Sequence, residues 1–205
     1  MKVYIHFGKQ KQMSKIEFII PTYNRPNQLM TVVSSIFSQR DDRWKIHVVA
    51  DGDYDGFQKV KNYFDGDDRI KFSVLQQPGR DWGHSPRNYG LEVATEDWVV
   101  MSGDDNYYMP VFVDHFLNAA KPAGVNFVYC DMIHNWTDHQ YYYIKSEPVY
   151  GRIDIGNFMT KRVYSQQLRL NTQHEAADAI FVEDYLKKYT RIGVKYIPKP
   201  LYVHN

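Results

Sequence analysis

The chain has 205 residues, of which 43% are hydrophobic and 24% are charged, and its 25 Lys and Arg residues nearly balance 24 Asp and Glu residues. This composition predicts one domain, residues 1–205, and excludes intrinsic disorder, a collagen-like chain and a strongly basic nucleic-acid-binding protein. Cys130 is the only cysteine, so no internal disulfide can form. Because the apolar runs are also too short to span a bilayer, we expect a cytoplasmic protein with no membrane span and no nucleic-acid partner.

Short apolar runs that end at turn residues alternate with helical periods in the first part of the chain. This alternation is typical of a parallel sheet that is covered by helices on both faces. The predicted strands are residues 16–20, 45–50, 70–75, 98–101 and 126–130. The predicted helices are residues 26–39, a short one near 57–64, residues 86–94 with Ser85 as N-cap, and residues 110–119.

The second half of the chain has a different pattern. Residues 140–145 form a β-rich run with no helix between it and the strand before it, which predicts an antiparallel addition to the sheet. Further helices are predicted at residues 157–168 and 177–189, and short strands at 194–197 and 201–203. Residues 1–12 fit either an extra edge strand or a tail. The predicted fold class is therefore α/β, with a mostly parallel central sheet, helices on both faces and a small antiparallel addition in the C-terminal half.

Ligands of open α/β sheets bind beyond the carboxyl ends of the strands, so the loops that follow the predicted strands are the expected site. These loops carry an aromatic ring for stacking, a carboxylate for an N–H donor, guanidinium groups for anionic oxygens and carboxylates for a hard cation: Tyr23, Asp51, Arg80, Arg87, Asp104 and Asp105. Together they could hold a nucleoside diphosphate. An acidic pair in a loop is most often a solvated turn, but Asp104 and Asp105 stand in the loop at the end of a wholly apolar strand.

Four stretches also follow one another in the order and spacing of the motifs of one enzyme family. They are residues 16–24 (IEFIIPTYN), 46–53 (IHVVADGD), 85–91 (SPRNYGL) and 101–110 (MSGDDNYYMP). They resemble the first strand and turn, the second strand, the Arg-Asn-x-Gly helix and the Asp-x-Asp region of the family 2 glycosyltransferases with the GT-A fold. The resemblance is continuous from about residue 15 to 120 and thin after residue 130.

The resemblance implies a metal-dependent, inverting glycosyltransferase, of the hexosyltransferase class, that moves a sugar from a nucleoside-diphosphate sugar, commonly a UDP-sugar, to a hydroxyl of a glycan or another acceptor. Residues 15–120 would be the nucleotide-sugar-binding half and residues 121–205 the acceptor-side half. The implied donor contacts are Thr22, Tyr23, Asp51, Arg80, Arg87 and Asp104. The implied ligands of Mn²⁺ or Mg²⁺ are Asp105 and His204, and the latter lies in a stretch similar to a late strand of the family. Two positions depart from the family pattern, because Ala50 and Ser102 stand where acidic residues are usual.

The general base is expected in the poorly matched half. The candidate carboxylates are Glu175, Asp178, Glu183 and Asp184. In the family this carboxylate starts a helix whose next residues are mostly apolar, and Asp178 fits that description best. The alternative for Asp178 is a stabilising charge at a helix N-terminus with no catalytic role.

Two other functions stay open at this point. A sugar-nucleotide nucleotidyltransferase would share the sheet and the metal-binding carboxylates, but it is expected to have a glycine-rich phosphate loop after the first strand, and residues 21–26 contain no glycine. A non-catalytic module of a larger protein that binds a nucleotide-sugar or a glycan is also possible. Ser102 in place of an acidic residue and the short acceptor half favour that second alternative.

Overall fold

A computed structural model describes residues 14–135, 140–189 and 193–205, so the predicted edge strand or tail at residues 1–12 lies outside the described residues. The strands are β1 (Ile16–Thr22), β2 (Trp44–Ala50), β3 (Ile70–Val74), β4 (Trp98–Met101), β5 (Tyr107–Tyr108), β6 (Phe127–Asn135), β7 (Tyr141–Ile144), β8 (Phe158–Lys161) and β9 (Val194–His204). The helices are α1 (Pro26–Phe37), α2 (Asp55–Tyr63), α3 (His84–Val93), α4 (Phe112–Ala119), α5 (Arg162–Ser165) and α6 (Ala177–Tyr189).

The strands form one sheet in the order β3-β2-β1-β4-β8-β6-β9-β5, with β7 paired to β6 beside this path. Strands β1 to β4 pair in parallel, and so do β6 and β9. Strand β8 is antiparallel to both of its neighbours, and β5 and β7 are antiparallel additions. The predicted α/β fold class, with a mostly parallel sheet and a small antiparallel part, is confirmed.

Apolar side chains cover both faces of the sheet. On one face, α1 buries Leu29, Val33 and Ile36 at helical spacing against β1 and its neighbours. On the other face, Leu91 of α3 and Phe181 of α6 belong to a second buried cluster. Because β1 is buried along its whole length, its polar loop is delivered to one edge of the sheet from a rigid base.

The structure corrects the predicted helix at residues 157–168. Phe158–Lys161 is the strand β8, which inserts between β4 and β6, and only Arg162–Ser165 is helical. Residues 158–160 are all buried, as expected for a strand that is covered on both faces. The two short strands predicted near the end are one strand, β9, whose register with β6 shifts next to Asp131.

Helix α3 begins at His84 instead of after the predicted N-cap Ser85, because Gly83 takes the N-cap position with a φ of 81°. The helix lies very close to β1, since a Cβ atom on Gly90 would come within 2.4 Å of Ile19 Cγ2. The Asn88 side chain bonds to both the backbone N–H and the carbonyl oxygen of Leu170. The Arg-Asn-x-Gly stretch therefore joins the first half of the chain to the second.

Within the described residues, no helix combines the length and the apolar character that a membrane crossing requires.

Candidate active site

A cavity of about 520 Å³ opens at the carboxyl ends of β1, β2 and β4. All eight residues that the sequence assigns to the donor or to the metal line it: Thr22, Tyr23, Asp51, Arg80, Arg87, Asp104, Asp105 and His204. The cavity is large enough for a small-molecule ligand. The sequence therefore placed these residues in one region correctly, while their individual roles stay predictions.

Asp51 organises the loop that forms one wall of this cavity. Its buried carboxylate accepts the backbone N–H groups of Gly79 at 2.7 Å and of Arg80 at 2.8 Å. Arg80 and Trp82 have φ angles of 49° and 58°, in the left-handed region that costs a residue with a side chain on the order of 1 kcal/mol or more. Such strain persists only where surrounding contacts enforce it, and Asp51 supplies two of those contacts. A carboxylate has about four acceptor positions, so Asp51 can still accept a donor from a ligand.

Tyr23 offers an aromatic face at the rim of the cavity. Its side chain is about half exposed, and the Arg80 guanidinium lies 5.5 Å from the centre of its ring. The neighbouring Thr22 hydroxyl is hydrogen-bonded to the hydroxyl of Tyr54 at 2.9 Å. A flat ligand that stacks on Tyr23 would thus meet a cation on the same side.

Arg87 lies at the floor of the cavity. Its Nε donates to the carbonyl oxygen of Ser102 at 2.8 Å, and its Nη1 donates to the carbonyl oxygen of Trp82 at 2.9 Å. Burial lowers the pKa of Arg87, and the nearby carboxylate of Asp154 opposes that shift. The guanidinium therefore supports two loops that line the cavity, and it adds positive charge beside them.

Asp104 and Asp105 share one guanidinium. Arg25 Nη1 lies 2.9 Å from Asp105 Oδ2 and 3.3 Å from Asp104 Oδ1. Burial and the charge of Asp105 raise the pKa of Asp104, and Arg25 partly offsets this. We call Arg25, Asp104 and Asp105 the Arg25 cluster. Sequence reasoning missed Arg25, although it directly follows the PTYN stretch in a loop that was already singled out.

The donor set around this cluster suits a hard cation. Asp104 and Asp105 supply carboxylate oxygens, and the Oδ1 atom of Asn106, which is 1% exposed, has no hydrogen-bond partner among the described residues. Oxygen ligands of this kind are typical of Mg²⁺ and Mn²⁺. Across the described ranges, however, no group of three or more His, Cys, Asp or Glu side chains is arranged to hold a metal ion.

His204 faces the same cavity but pairs with a different carboxylate. Its Nδ1 lies 3.0 Å from Asp154 Oδ2. Although burial opposes protonation, the adjacent carboxylate of Asp154 raises the pKa of His204. Burial likewise opposes ionisation of Asp154, but His204, together with hydrogen bonds from Tyr202 Oη and the Gly156 N–H, lowers the pKa of Asp154 to about 2. Asp154 gave no signal in the sequence, because it stands in an irregular segment.

A second cavity of about 300 Å³ borders this pair at Asp154. Asp154 and Asp178 line it, with Tyr150 among the remaining residues. Asp178 lies in the first turn of α6, where its Oδ1 accepts the N–H of Ala179 at 2.7 Å. Burial raises the pKa of Asp178, and the negative charge of Asp154 raises it further, to about 6. We call Asp154, Asp178 and His204 the His204 cluster.

The fold defines the class of protein. Residues 1–349 of TarS from S. aureus match 93% of this chain and 60% of that chain with a TM-score of 0.76 at 17% identity, and the same fragment has a structure in complex with UDP. Mannosyltransferase PcManGT from Pyrobaculum calidifontis, in complex with GDP-Man and Mn²⁺, matches 95% of this chain and 57% of that chain with a TM-score of 0.69 at 17% identity. These similarities show a GT-A glycosyltransferase fold.

The family model of glycosyl transferase family 2 matches residues 17–194. The chain belongs to this family, which confirms the resemblance of its four motifs. A Campylobacter jejuni GalNAc(5)-diNAcBac-PP-undecaprenol beta-1,3-glucosyltransferase is 33% identical over 95 residues, which are 46% of this chain and 30% of that protein. The matched regions span between 13% and 40% of the curated relatives' own lengths.

Proposed function

We propose that this chain transfers a sugar, with inversion, from a nucleoside-diphosphate sugar in the first cavity to an acceptor hydroxyl in the second. The observation that carries the proposal is the arrangement of the two cavities around the His204–Asp154 pair, since His204 lines one cavity and Asp154 the other. A carboxylate suited to act as a base, Asp178, lines the second cavity. Family membership supports the same reaction class.

The donor's diphosphate is expected beside the Arg25 cluster. When bound there, Mn²⁺ or Mg²⁺ would supply positive charge to offset the charge that develops on the departing diphosphate. Asp104, Asp105 and the Oδ1 atom of Asn106 would hold the cation, and Arg80 would contribute charge from the chain itself. In this proposal His204 remains paired with Asp154. His204 would become a ligand of the cation only if that pair separated.

The nucleobase is expected between Tyr23, at the rim of the first cavity, and the loop of Gly79 and Arg80 that Asp51 holds. Tyr23 provides a stacking surface, and the Asp51 carboxylate can accept from a base N–H in addition to the backbone groups that it already binds. The complex of TarS with UDP favours a UDP-sugar, and the complex of PcManGT with GDP-Man keeps guanine as the alternative.

Asp178 is proposed to take the proton of the acceptor hydroxyl as that oxygen attacks the sugar from the face opposite the diphosphate. A single attack on that face inverts the anomeric centre. General bases work best when their pKa lies near the working pH, and the pKa of about 6 places Asp178 in that range while leaving it ionised at neutral pH.

A non-catalytic module that binds a nucleotide-sugar is the second candidate. Ser102, which replaces the usual acidic residue, is fully buried and accepts the Tyr108 hydroxyl at 2.8 Å, so it offers no ligand to the cavity. A site that keeps donor recognition but lacks one carboxylate would suit such a module.

The deciding experiment measures binding and turnover together. The protein is titrated with UDP, GDP and their sugar conjugates by calorimetry, with Mn²⁺ or with EDTA, and release of nucleoside diphosphate is then followed with water or simple glycosides as acceptor. We expect selective, cation-enhanced binding of one diphosphate and its slow release from the sugar conjugate. Binding without release under any acceptor favours the module. Formation of UTP or GTP and a sugar 1-phosphate when pyrophosphate is added to the sugar conjugate favours a nucleotidyltransferase, and absence of binding refutes all three.

A further inference from the structure

The structure assigns to Arg25 the role of an internal counter-cation, which holds Asp104 and Asp105 in the donor-free protein and moves to the diphosphate when a divalent cation enters. This inference rests on the proposed function, since it describes how donor and metal would enter the same site. It predicts that the cation and the nucleotide bind cooperatively. The cation displaces Arg25 from the two carboxylates, and the diphosphate gives the displaced Arg25 a new anionic partner.

The geometry shows that Arg25 and a divalent cation would compete for the same oxygens. One nitrogen, Nη1, contacts both Asp105 Oδ2 and Asp104 Oδ1, and it therefore occupies oxygens that these two carboxylates would otherwise offer to a cation. A separate observation indicates that a ligand binds here: the buried Oδ1 atom of Asn106 has no hydrogen-bond partner among the described residues. A cation held at ordinary metal–oxygen distances of about 2.0–2.6 Å would displace the guanidinium from at least one carboxylate.

The surroundings of the three side chains decide which of them can move. The Asp104 side chain is 9% exposed, while the Arg25 side chain is 53% exposed. Arg25 precedes Pro26, the first residue of α1, and its side chain makes no hydrogen bond to helix α1 among the described contacts. Arg25 can therefore swing while the backbone and the carboxylates stay in place.

The charge balance gives this movement a direction. With Arg25 in place, the two carboxylates and one guanidinium carry one net negative charge. A divalent cation that entered alone would leave an excess of positive charge next to Arg25, and this would weaken metal binding. A diphosphate that enters together with the cation restores the balance and gives Arg25 an anion to bind in bidentate fashion.

The test measures Mn²⁺ binding directly, by electron paramagnetic resonance of free Mn²⁺, with and without UDP. In Arg25→Gln, Mn²⁺ alone should bind about 5- to 50-fold more tightly than in the wild type, and added UDP should improve Mn²⁺ binding by a smaller factor. Arg25→Lys keeps the charge and should stay close to the wild type. The matched control is Arg40→Gln, which removes one positive charge from an exposed position after α1 that does not line the cavity.

Arg25→Gln that binds Mn²⁺ no more tightly than the wild type overturns the inference, and this includes the case in which neither protein binds it. Equal tightening in Arg40→Gln also overturns it, because the effect would then reflect overall charge. The proposed function fails separately: if no nucleoside diphosphate binds to either protein, the comparison of Mn²⁺ alone still tests Arg25.

Discussion

The site contains two clusters with the same make-up, two aspartates and one basic side chain, in different surroundings. In the Arg25 cluster, the basic side chain is more than half exposed and makes no other described hydrogen bond to a side chain. In the His204 cluster, Asp154 is 9% exposed and also accepts bonds from Tyr202 and from the backbone of Gly156. The first cluster can exchange its cation, whereas the second is fixed.

This difference explains how similar groups would serve different steps. An exchangeable cation next to two carboxylates suits a site that must bind and release a metal and a diphosphate in each turnover. A fixed carboxylate such as Asp154 instead provides a permanent negative charge, which helps to raise the pKa of Asp178.

The largest expected effect belongs to Asp178. Asp178→Asn removes the proposed base while keeping the shape of the side chain, so transfer should fall by about 10²- to 10⁴-fold with nucleotide affinity unchanged. Transfer is measured as product formation under saturating donor, and affinity by calorimetry with UDP. The control is Glu183→Gln, an exposed carboxylate on the same helix that should leave the rate unaltered. A near-normal rate in Asp178→Asn, together with a slow rate in Glu183→Gln, would show that the base is Glu183 and not Asp178.

The two clusters should also differ in stability. Asp154→Asn leaves the Nδ1 atom of His204 without its charged partner. The change should lower the free energy of unfolding by about 2–3 kcal/mol at neutral pH. Asp105→Asn disturbs a partly exposed ion pair and should cost under about 1 kcal/mol. Urea denaturation of both variants gives the comparison, and similar costs would remove the contrast between a fixed and an exchangeable cluster.

The pH dependence of that stability gap has a definite sign. Asp154 has a lowered pKa, so its contribution is complete above the ordinary carboxyl pKa of about 3.9 and is lost as the pH falls through about 2. His204 has a raised pKa, so its contribution is complete below about 6.5 and is lost as the pH rises through its folded value. The gap between the wild type and Asp154→Asn should therefore be widest between about pH 4 and 6.5.

Asp105 tests the exchangeable cluster through ligand binding. Asp105→Asn should remove most of the gain in UDP affinity that Mn²⁺ provides, a loss on the order of tenfold, while affinity in EDTA should not fall, because the change removes a negative charge beside the diphosphate. Calorimetry of UDP with Mn²⁺ and with EDTA measures both values. An Mn²⁺-dependent gain that survives in Asp105→Asn would show that Asp105 is not a ligand.

The sequence could predict which residues line the first cavity because their grouping follows from local pattern. Asp51 directly follows the apolar end of β2, and Asp104 follows the wholly apolar β4 after two intervening residues. The carboxyl ends of such strands meet at one edge of a parallel sheet. Arg25, in the loop after β1, was missed because a charged residue before a helix is usually solvated. Its contact with Asp104 depends on the ends of β1 and β4 coming together.

The second half could not be predicted as well, because its contacts join distant parts of the chain. Residues 158–160 form a short apolar run, which by itself fits a helix or a buried strand, and only its place between β4 and β6 decides for the strand. Asp154 becomes part of the site through Tyr202 and His204, about fifty residues later on β9. No periodicity near Asp154 indicates those partners.

The smallest expected effect is a shift in the pH profile, and it tests whether the fixed cluster acts on the base. Asp178 must be ionised to accept a proton, so kcat/KM should rise with pH through about 6 and then level off. Asp154→Asn removes a negative charge that opposes ionisation of Asp178, so the acidic limb should move to lower pH, even where the plateau rate also falls. Asp105→Asn lies in the other cluster and should leave the position of the limb unchanged. An acidic limb that stays in place in Asp154→Asn would mean that burial alone sets the pKa of Asp178, and that the His204 cluster is a structural support with no electrostatic influence on the base.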